Sequence, residues 1–390
     1  MTENQQKIYF IEVLRGIAPL LVVGYHAAGP LVNAYASFPM LGLDIFRNGN
    51  IGVDIFFMIS GFIICYATQK VETRPLLSFV IRRFFRIYPL FLFCLLFVWF
   101  SYSSWKPASE FIKSAFLLHS NYSLRAPFFG YNMLYPAWTI SYEILFYSIF
   151  LIGMAFSHKW RALITSLIIL TSMLAIQLHF KSSISVSGDF SAYSVEMGAF
   201  APVFTMLGSP MLLEFILGMF LFFVFRTFGE IKNNAIKFTM ISTSVAGIYL
   251  LIHINTKLHG FTDKGLIAAF IFISMMIAEM SGAKMSFRIT RFFSNISYSL
   301  YLTHSIVLSL SLMYIKSIGY TEYPKGFLFF ALLMGTCILI SYFSHIFIEK
   351  PFILLGKRLL INITRKKNIK TIAHLVGFLF LPSAFDIITD

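Results

Sequence analysis

"EVLRGIAPLLVVGYHA", residues 12–27, is an apolar stretch with one arginine, Arg15, and one histidine, His26, set into it. The run that contains it, about 8–29, is long enough to cross a bilayer as a helix. Comparable runs follow at about 51–68, 88–105, 138–157, 161–179, 210–227, 236–254, 265–281, 293–315 and 327–348. The whole chain agrees with that reading. It is 58% hydrophobic with a mean hydropathy of +0.77, and its 12% of charged residues is low. A soluble domain of this length carries about twice that charge fraction. The expectation is an all-α, polytopic membrane protein with about ten transmembrane helices in one bundle.

The distribution of Lys and Arg orients the bundle. Of the 31 residues, 21 fall before the first span, in the even-numbered loops between spans and after the tenth span, nine fall in the other loops, and Arg15 lies inside a span. Cytoplasmic loops collect such an excess, so both termini are expected in the cytoplasm. An odd number of spans would spoil the alternation. The formal charge of +14 is then explained by lipid headgroups, and membrane lipid rather than nucleic acid is the expected polyanion. Cys65, Cys94 and Cys337 lie in apolar runs at unrelated spacings, forming neither a disulfide framework nor a metal site. The polar residues 1–7 and the interruption at Arg15 argue against a cleavable signal peptide. The membrane domain is expected over 7–352, with no appended soluble domain. A basic cytoplasmic tail, 353–390, is expected to carry an interfacial helix at about 372–388.

The polar residues inside the spans carry the functional signal. The eleven-residue step from Arg15 to His26 turns a helix by about 1100°, about 20° past three full turns, so both side chains share one face about 16 Å apart along the axis. A charge at mid-bilayer costs at least about 2.5–3.5 kcal/mol, so Arg15 should face the bundle interior or a wet cavity. The competing structural readings are an Arg15 pair with Glu12 and a packing role for His26. "GNIGVDIFFMISGF" (49–62) and "YPAWTISYEILFY" (135–147) place Asp54 and Glu143 in the outer part of their spans. At that depth either carboxylate could meet His26, fix its tautomer and support general base catalysis. As structural residues, Asp54 would be a first-turn acid favoured by the helix dipole and Glu143 an interhelical pair.

"SFVIRRFFRIYPLF" (78–91) carries Arg82, Arg83 and Arg86 on the cytoplasmic side. They read either as a positive-inside anchor or as a clamp whose guanidinium forks grip phosphate. "ISYSLYLTHSIV" (296–307) places His304 in the ninth span with Tyr298 and Tyr301 on a broadly shared face, as packing residues or as the lining of a channel. "HIFIEKPF" (345–352) ends the tenth span with Glu349 and Lys350, read as anchors. The 46 phenylalanines read as packing and lipid contact.

These segments, in this order, resemble the acyltransferase-3 superfamily of membrane O-acyltransferases. The resemblance rests on Arg15-x10-His26, "GVDIFFMISGF" (52–62), "RRFFRIYP" (82–89), "WTISYEILFY" (138–147), "SYSLYLTH" (297–304) and "IEKP" (348–351). It implies a ten-helix core in the inner (plasma) membrane and an acyl-CoA donor, most commonly acetyl-CoA, taken from the cytoplasm. The implied acceptor is a hydroxyl of an O-antigen, capsule or exopolysaccharide unit, and no metal is implied. His26 matches a histidine regarded as essential in the family, and Arg15 an arginine regarded as important. On this reading Arg82, Arg83, Arg86 and Arg15 hold the CoA phosphates, and the pantetheine arm runs up the shared face of the first helix. His26 is base or acyl carrier, oriented by Asp54 or Glu143. Rival readings are a transporter or flippase for a lipid-linked sugar and a membrane scaffold with a degenerate site. Acceptor choice is expected to reside in the outer loops 106–137 and 180–209.

Overall fold

The computed structural model describes residues 7–103, 106–254, 256 and 258–365. The expected interfacial helix at 372–388 lies outside them. Among the described residues the chain is helical with no strand. Ten long helices order the fold: α1 (Tyr9–Ala27), α2 (Gly52–Ala67), α3 (Pro75–Val98), α4 (Ala137–Phe156), α5 (Arg161–Lys181), α6 (Leu212–Phe228), α7 (Asn234–His253), α8 (Lys264–Met280), α9 (Arg288–Ser317) and α10 (Phe327–Ser344). Nine described helical segments are long and apolar enough to cross a membrane. Helix α8, at 17 residues, sits at the short end of the spanning range and makes the tenth. The chain is a multi-pass membrane protein. The end of the bundle at which α1 begins is called the near end, and the opposite end the far end.

Helix α1 runs through the interior, packed on α9 and α2. Between α2 and α6 the contact is closer still. A Cβ on Gly61 would strike the Phe215 carbonyl, and one on Gly218 the Met58 carbonyl. Small residues at such crossings let two membrane helices touch through their backbones, where lipid supplies no hydrophobic drive for association. Phe10, Phe62 and Phe272 pack edge to face beside that crossing.

The third helix differs from its sequence expectation. It starts at Pro75, not near residue 88, and runs through Pro89 to Val98 before a π turn at Trp99–Ser103. Proline at the first helical position costs no hydrogen bond. An internal proline removes the hydrogen bond its own N–H would give to the carbonyl four residues back, here Phe85, an interruption that membrane helices tolerate. Beside it the Tyr298 hydroxyl donates to the Ile87 carbonyl at 2.7 Å. The arginine cluster therefore sits on a helix, not in a loop. After α10 a π-helical turn, His345–Glu349, leads into α11 (Lys350–Arg365).

Candidate active site

Two cavities lie end to end through the bundle and meet at Val53 and Tyr301, which line both. The Tyr301 and Thr139 hydroxyls are 3.0 Å apart at that junction.

The far cavity encloses about 200 Å³. His26, on the last turn of α1, lines it and donates from Nδ1 to the Val22 carbonyl at 2.9 Å. A carbonyl only accepts, so Nδ1 carries the hydrogen and Nε2 keeps a lone pair. His304 repeats the arrangement, with Nδ1 on the Tyr301 carbonyl at 2.6 Å and a buried Nε2 that has no partner among the described residues. The two rings lie 5.2 Å apart. Trp138, Phe128, Tyr131 and Tyr135 supply an aromatic wall, and Arg125 and Asp189 reach the same cavity from the two long far-end loops.

Asp54 also lies at the far end, but it does not orient His26. It is fully buried and accepts from His259 Nδ1 at 2.8 Å and from the Gly260 amide at 2.9 Å. The first turn of α2 reaches this position because Gly52 lies against the Ala18 carbonyl of α1, where a Cβ would not fit. Sequence reading had no means of finding His259, which lies in an irregular far-end segment without periodicity. Asn50, two residues before Gly52, donates from Nδ2 toward His259 Nε2 at 3.2 Å.

The near cavity encloses about 110 Å³ and is lined by Arg15, Ser60, Arg83, Arg86, Glu143, Tyr147 and Tyr298 among others. Glu143 is here, not beside His26. It accepts from the Ser60 hydroxyl at 3.2 Å and from the Tyr147 hydroxyl. The expectation that Asp54 or Glu143 orients His26 is thus corrected on both counts: similar depth placed them, but each helix turns its carboxylate toward other partners. Arg15 makes no hydrogen bond with a described residue, and Glu12 pairs with Arg291 at 3.6 Å instead.

The three arginines of α3 separate by face. Arg83 packs its guanidinium over the Phe79 and Tyr147 rings, with its Nε unpartnered among the described residues. Arg86 pairs at 3.4 Å with the buried Glu349, which also accepts from Ser299 at 2.7 Å and contacts His345 at 3.0 Å. Glu349, read from sequence as an anchor, therefore holds Arg86 in place. Arg82 lies outside the near cavity. It is half exposed and bonds Glu72 at 2.6 Å, because adjacent residues on a helix point about 100° apart.

Among the described residues no group of three or more His, Cys, Asp or Glu side chains is placed to hold a metal ion. Arg15 and the Nε of Arg83, donors with no hydrogen-bond partner among the described residues, fit an anionic ligand.

The family model described as an acyltransferase domain matches residues 8–346. The chain is 24% identical over 329 residues to the exopolysaccharide production protein ExoZ of Rhizobium meliloti (strain 1021), an alignment covering 80% of this chain and 92% of that protein. No solved structure matches the chain.

Proposed function

The chain belongs to the acyltransferase-3 family, and from that premise we propose that it moves an acyl group, acetyl by preference, from cytoplasmic acyl-CoA to a hydroxyl of a cell-surface or lipid-linked carbohydrate. The similarity to an exopolysaccharide production protein supports a polysaccharide acceptor such as an exopolysaccharide, capsule or O-antigen unit. The bias of Lys and Arg toward the near end supports placing that end in the cytoplasm, with the protein in the inner membrane.

The observation that carries the reading is the pair of cavities joined at Val53 and Tyr301, cationic at one end and histidine-lined at the other. Arg15 and His26, one in each, lie on the same face of α1. In the reading proposed here, Arg83, Arg86 and Arg15 hold the phosphates of CoA and the pantetheine arm extends along α1. Its thioester then lies in the far cavity beside His26 Nε2. That lone pair takes the proton of the acceptor hydroxyl or attacks the thioester carbonyl. A hydroxyl needs such help near neutral pH, and general base catalysis is worth about 10²–10⁴ in rate. The aromatic wall suits the apolar face of a sugar ring. Arg125 and Asp189, from the long far-end loops, are placed to select among acceptors.

The deciding measurement is the base-labile ester content of surface polysaccharide, read by proton NMR in cells carrying wild type or His26→Ala at matched membrane levels. Wild-type esters and a loss of about 10²-fold or more in the variant are expected. Esters unchanged by the substitution would remove His26 from the reaction.

A further inference from the structure

Three histidines line the far cavity, and they are supported in two different ways: His304, like His26, rests on a backbone carbonyl, and His259 does not. His26 has only a backbone carbonyl at Nδ1. His259 has the fully buried Asp54 carboxylate there, itself fixed by the Gly260 amide. A ring that takes a proton becomes an imidazolium, and a buried carboxylate at Nδ1 supplies the opposite charge it then needs. A ring that attacks a carbonyl needs an unoccupied lone pair at Nε2, which is what His26 offers among the described residues, whereas the His259 Nε2 faces the Asn50 amide. The acyl-imidazolium that forms keeps its Nδ1 proton on the Val22 carbonyl. From this asymmetry we infer that the two rings divide the reaction: His26 carries the acyl group, and His259, positioned by Asp54, removes the acceptor's proton. The inference rests on the acyl-transfer reading above.

The steps balance. His26 Nε2 attacks the thioester carbonyl carbon, a C–N bond forms, the C–S bond breaks, and CoA leaves as thiolate. The acceptor oxygen then attacks the acyl carbon while its proton passes to His259 Nε2. The C–N bond breaks and its electron pair returns to His26 Nε2. His259 releases its proton to water at the far end, so the net products are ester, CoA thiolate and a proton.

Three further observations support His259 as the proton's destination. Its Nε2 lies in the cavity wall facing Asn50, whose Oδ1 is buried without a partner. Turning that amide over presents Oδ1 to a protonated Nε2, so both states of the ring are accommodated. Glu214 and Lys264, both buried, adjoin Asp54. A proton on His259 therefore enters a cluster of buried ionisable groups beside its Asp54 counterion, not an apolar interior. Finally, the His259 ring lies 5.7 Å from Trp138 and 6.0 Å from Phe128, which puts it on the aromatic wall where a sugar would stack.

The test uses inverted membrane vesicles of the expressing strain, given acetyl-CoA labelled in the acetyl group and quenched rapidly in denaturant. Wild type, His26→Ala and His259→Asn are compared. Asparagine retains an N–H donor to Asp54 and lacks a base at the Nε2 position; membrane abundance and gel-filtration profile in detergent establish folding. In folded His259→Asn, label bound to the protein is expected to persist while labelled ester falls by about 10²-fold or more, and His26→Ala is expected to show neither. Ester formation by His259→Asn near the wild-type rate overturns the inference, as does loss of protein-bound label in that variant. Absence of protein-bound label in every variant, with ester still made by wild type, also overturns it, since the transfer is then direct. Wild-type vesicles that consume no acetyl-CoA and make no ester overturn the acyl-transfer reading itself.

Discussion

The two cavities are built on opposite plans. In the near cavity, charge is held by partners from helices: Arg86 by Glu349, Arg83 by the rings of Phe79 and Tyr147, Glu143 by Ser60 and Tyr147. Arg15, by contrast, makes no hydrogen bond or close ion pair with a described residue and feels Glu349 and Glu143 only at longer range. In the far cavity the working groups are imidazoles held by carbonyls and by Asp54, and much of the wall comes from loops. One end is helix-borne, rich in arginine and fixed, the other aromatic and imidazole-lined with much of its wall from loops: the first suits a ligand that never varies, such as a CoA, and the second a ligand that differs between relatives. The proposed split between donor and acceptor ends follows from this difference in construction.

The comparison breaks most easily at the arginines. Arg83→Gln or Arg86→Gln removes a charged donor from the near cavity, about 1.5–3 kcal/mol per hydrogen bond to a phosphate. The KM for acetyl-CoA is expected to rise about 10- to 100-fold, with the acceptor's KM unchanged. Arg82→Gln, which loses only a half-exposed pair with Glu72, should change either constant by about twofold or less. Steady-state kinetics in detergent with both substrates varied measures this. An Arg82 effect as large as the Arg83 effect would mean that the donor grips the outer face of α3 rather than the near cavity.

These residues also show what was legible in the sequence. The shared face of Arg15 and His26 follows from helical periodicity alone, and the structure places one in each cavity. The number and order of the long helices follow from apolar run length. The start of the third helix was not legible, because Arg82, Arg83 and Arg86 interrupt the apolar run and look like part of a loop, whereas the structure carries them on the helix that begins at Pro75. Depth could be read for Asp54 and Glu143, but rotation toward a particular neighbour could not. Both carboxylates were therefore assigned to His26 and both belong elsewhere. His259 carries no local signal at all: it is defined by a contact with Asp54 across 205 residues of chain. Loop residues are placed by the fold and not by their own sequence.

A smaller effect sharpens the near-end half. Glu349→Gln keeps an acceptor for Ser299 but removes the charge opposite Arg86. Because Arg86 stays 32% exposed, water compensates part of the loss, and about 1 kcal/mol in donor binding is expected, a KM for acetyl-CoA raised about three- to tenfold. kcat should hold, since Glu349 touches neither reacting group. A fall in kcat at constant KM would show that the π turn at His345–Glu349 acts on the chemistry and not on donor placement.

The smallest effect is nil at neutral pH and belongs to the far end. His119 lies in the loop that supplies the aromatic wall, packed against both Tyr122 and Phe129. Burial pushes its imidazole down to about 4, from an ordinary value of 6.5. The unfolded loop takes up a proton below about pH 6.5 that the folded loop refuses until about pH 4, so stability is complete above that window and falls as the pH drops through it. At pH 5 the loss from this one group is on the order of 1–2 kcal/mol. Thermal melts of wild type and His119→Phe at pH 7 and pH 5 isolate it, because phenylalanine keeps the ring stack and cannot be protonated. The two proteins should differ little at pH 7, and His119→Phe should lose less stability on acidification. Equal losses would mean that the acid-sensitive groups lie elsewhere, and that the loop-built far end is no more sensitive to acid than the helix-built near end.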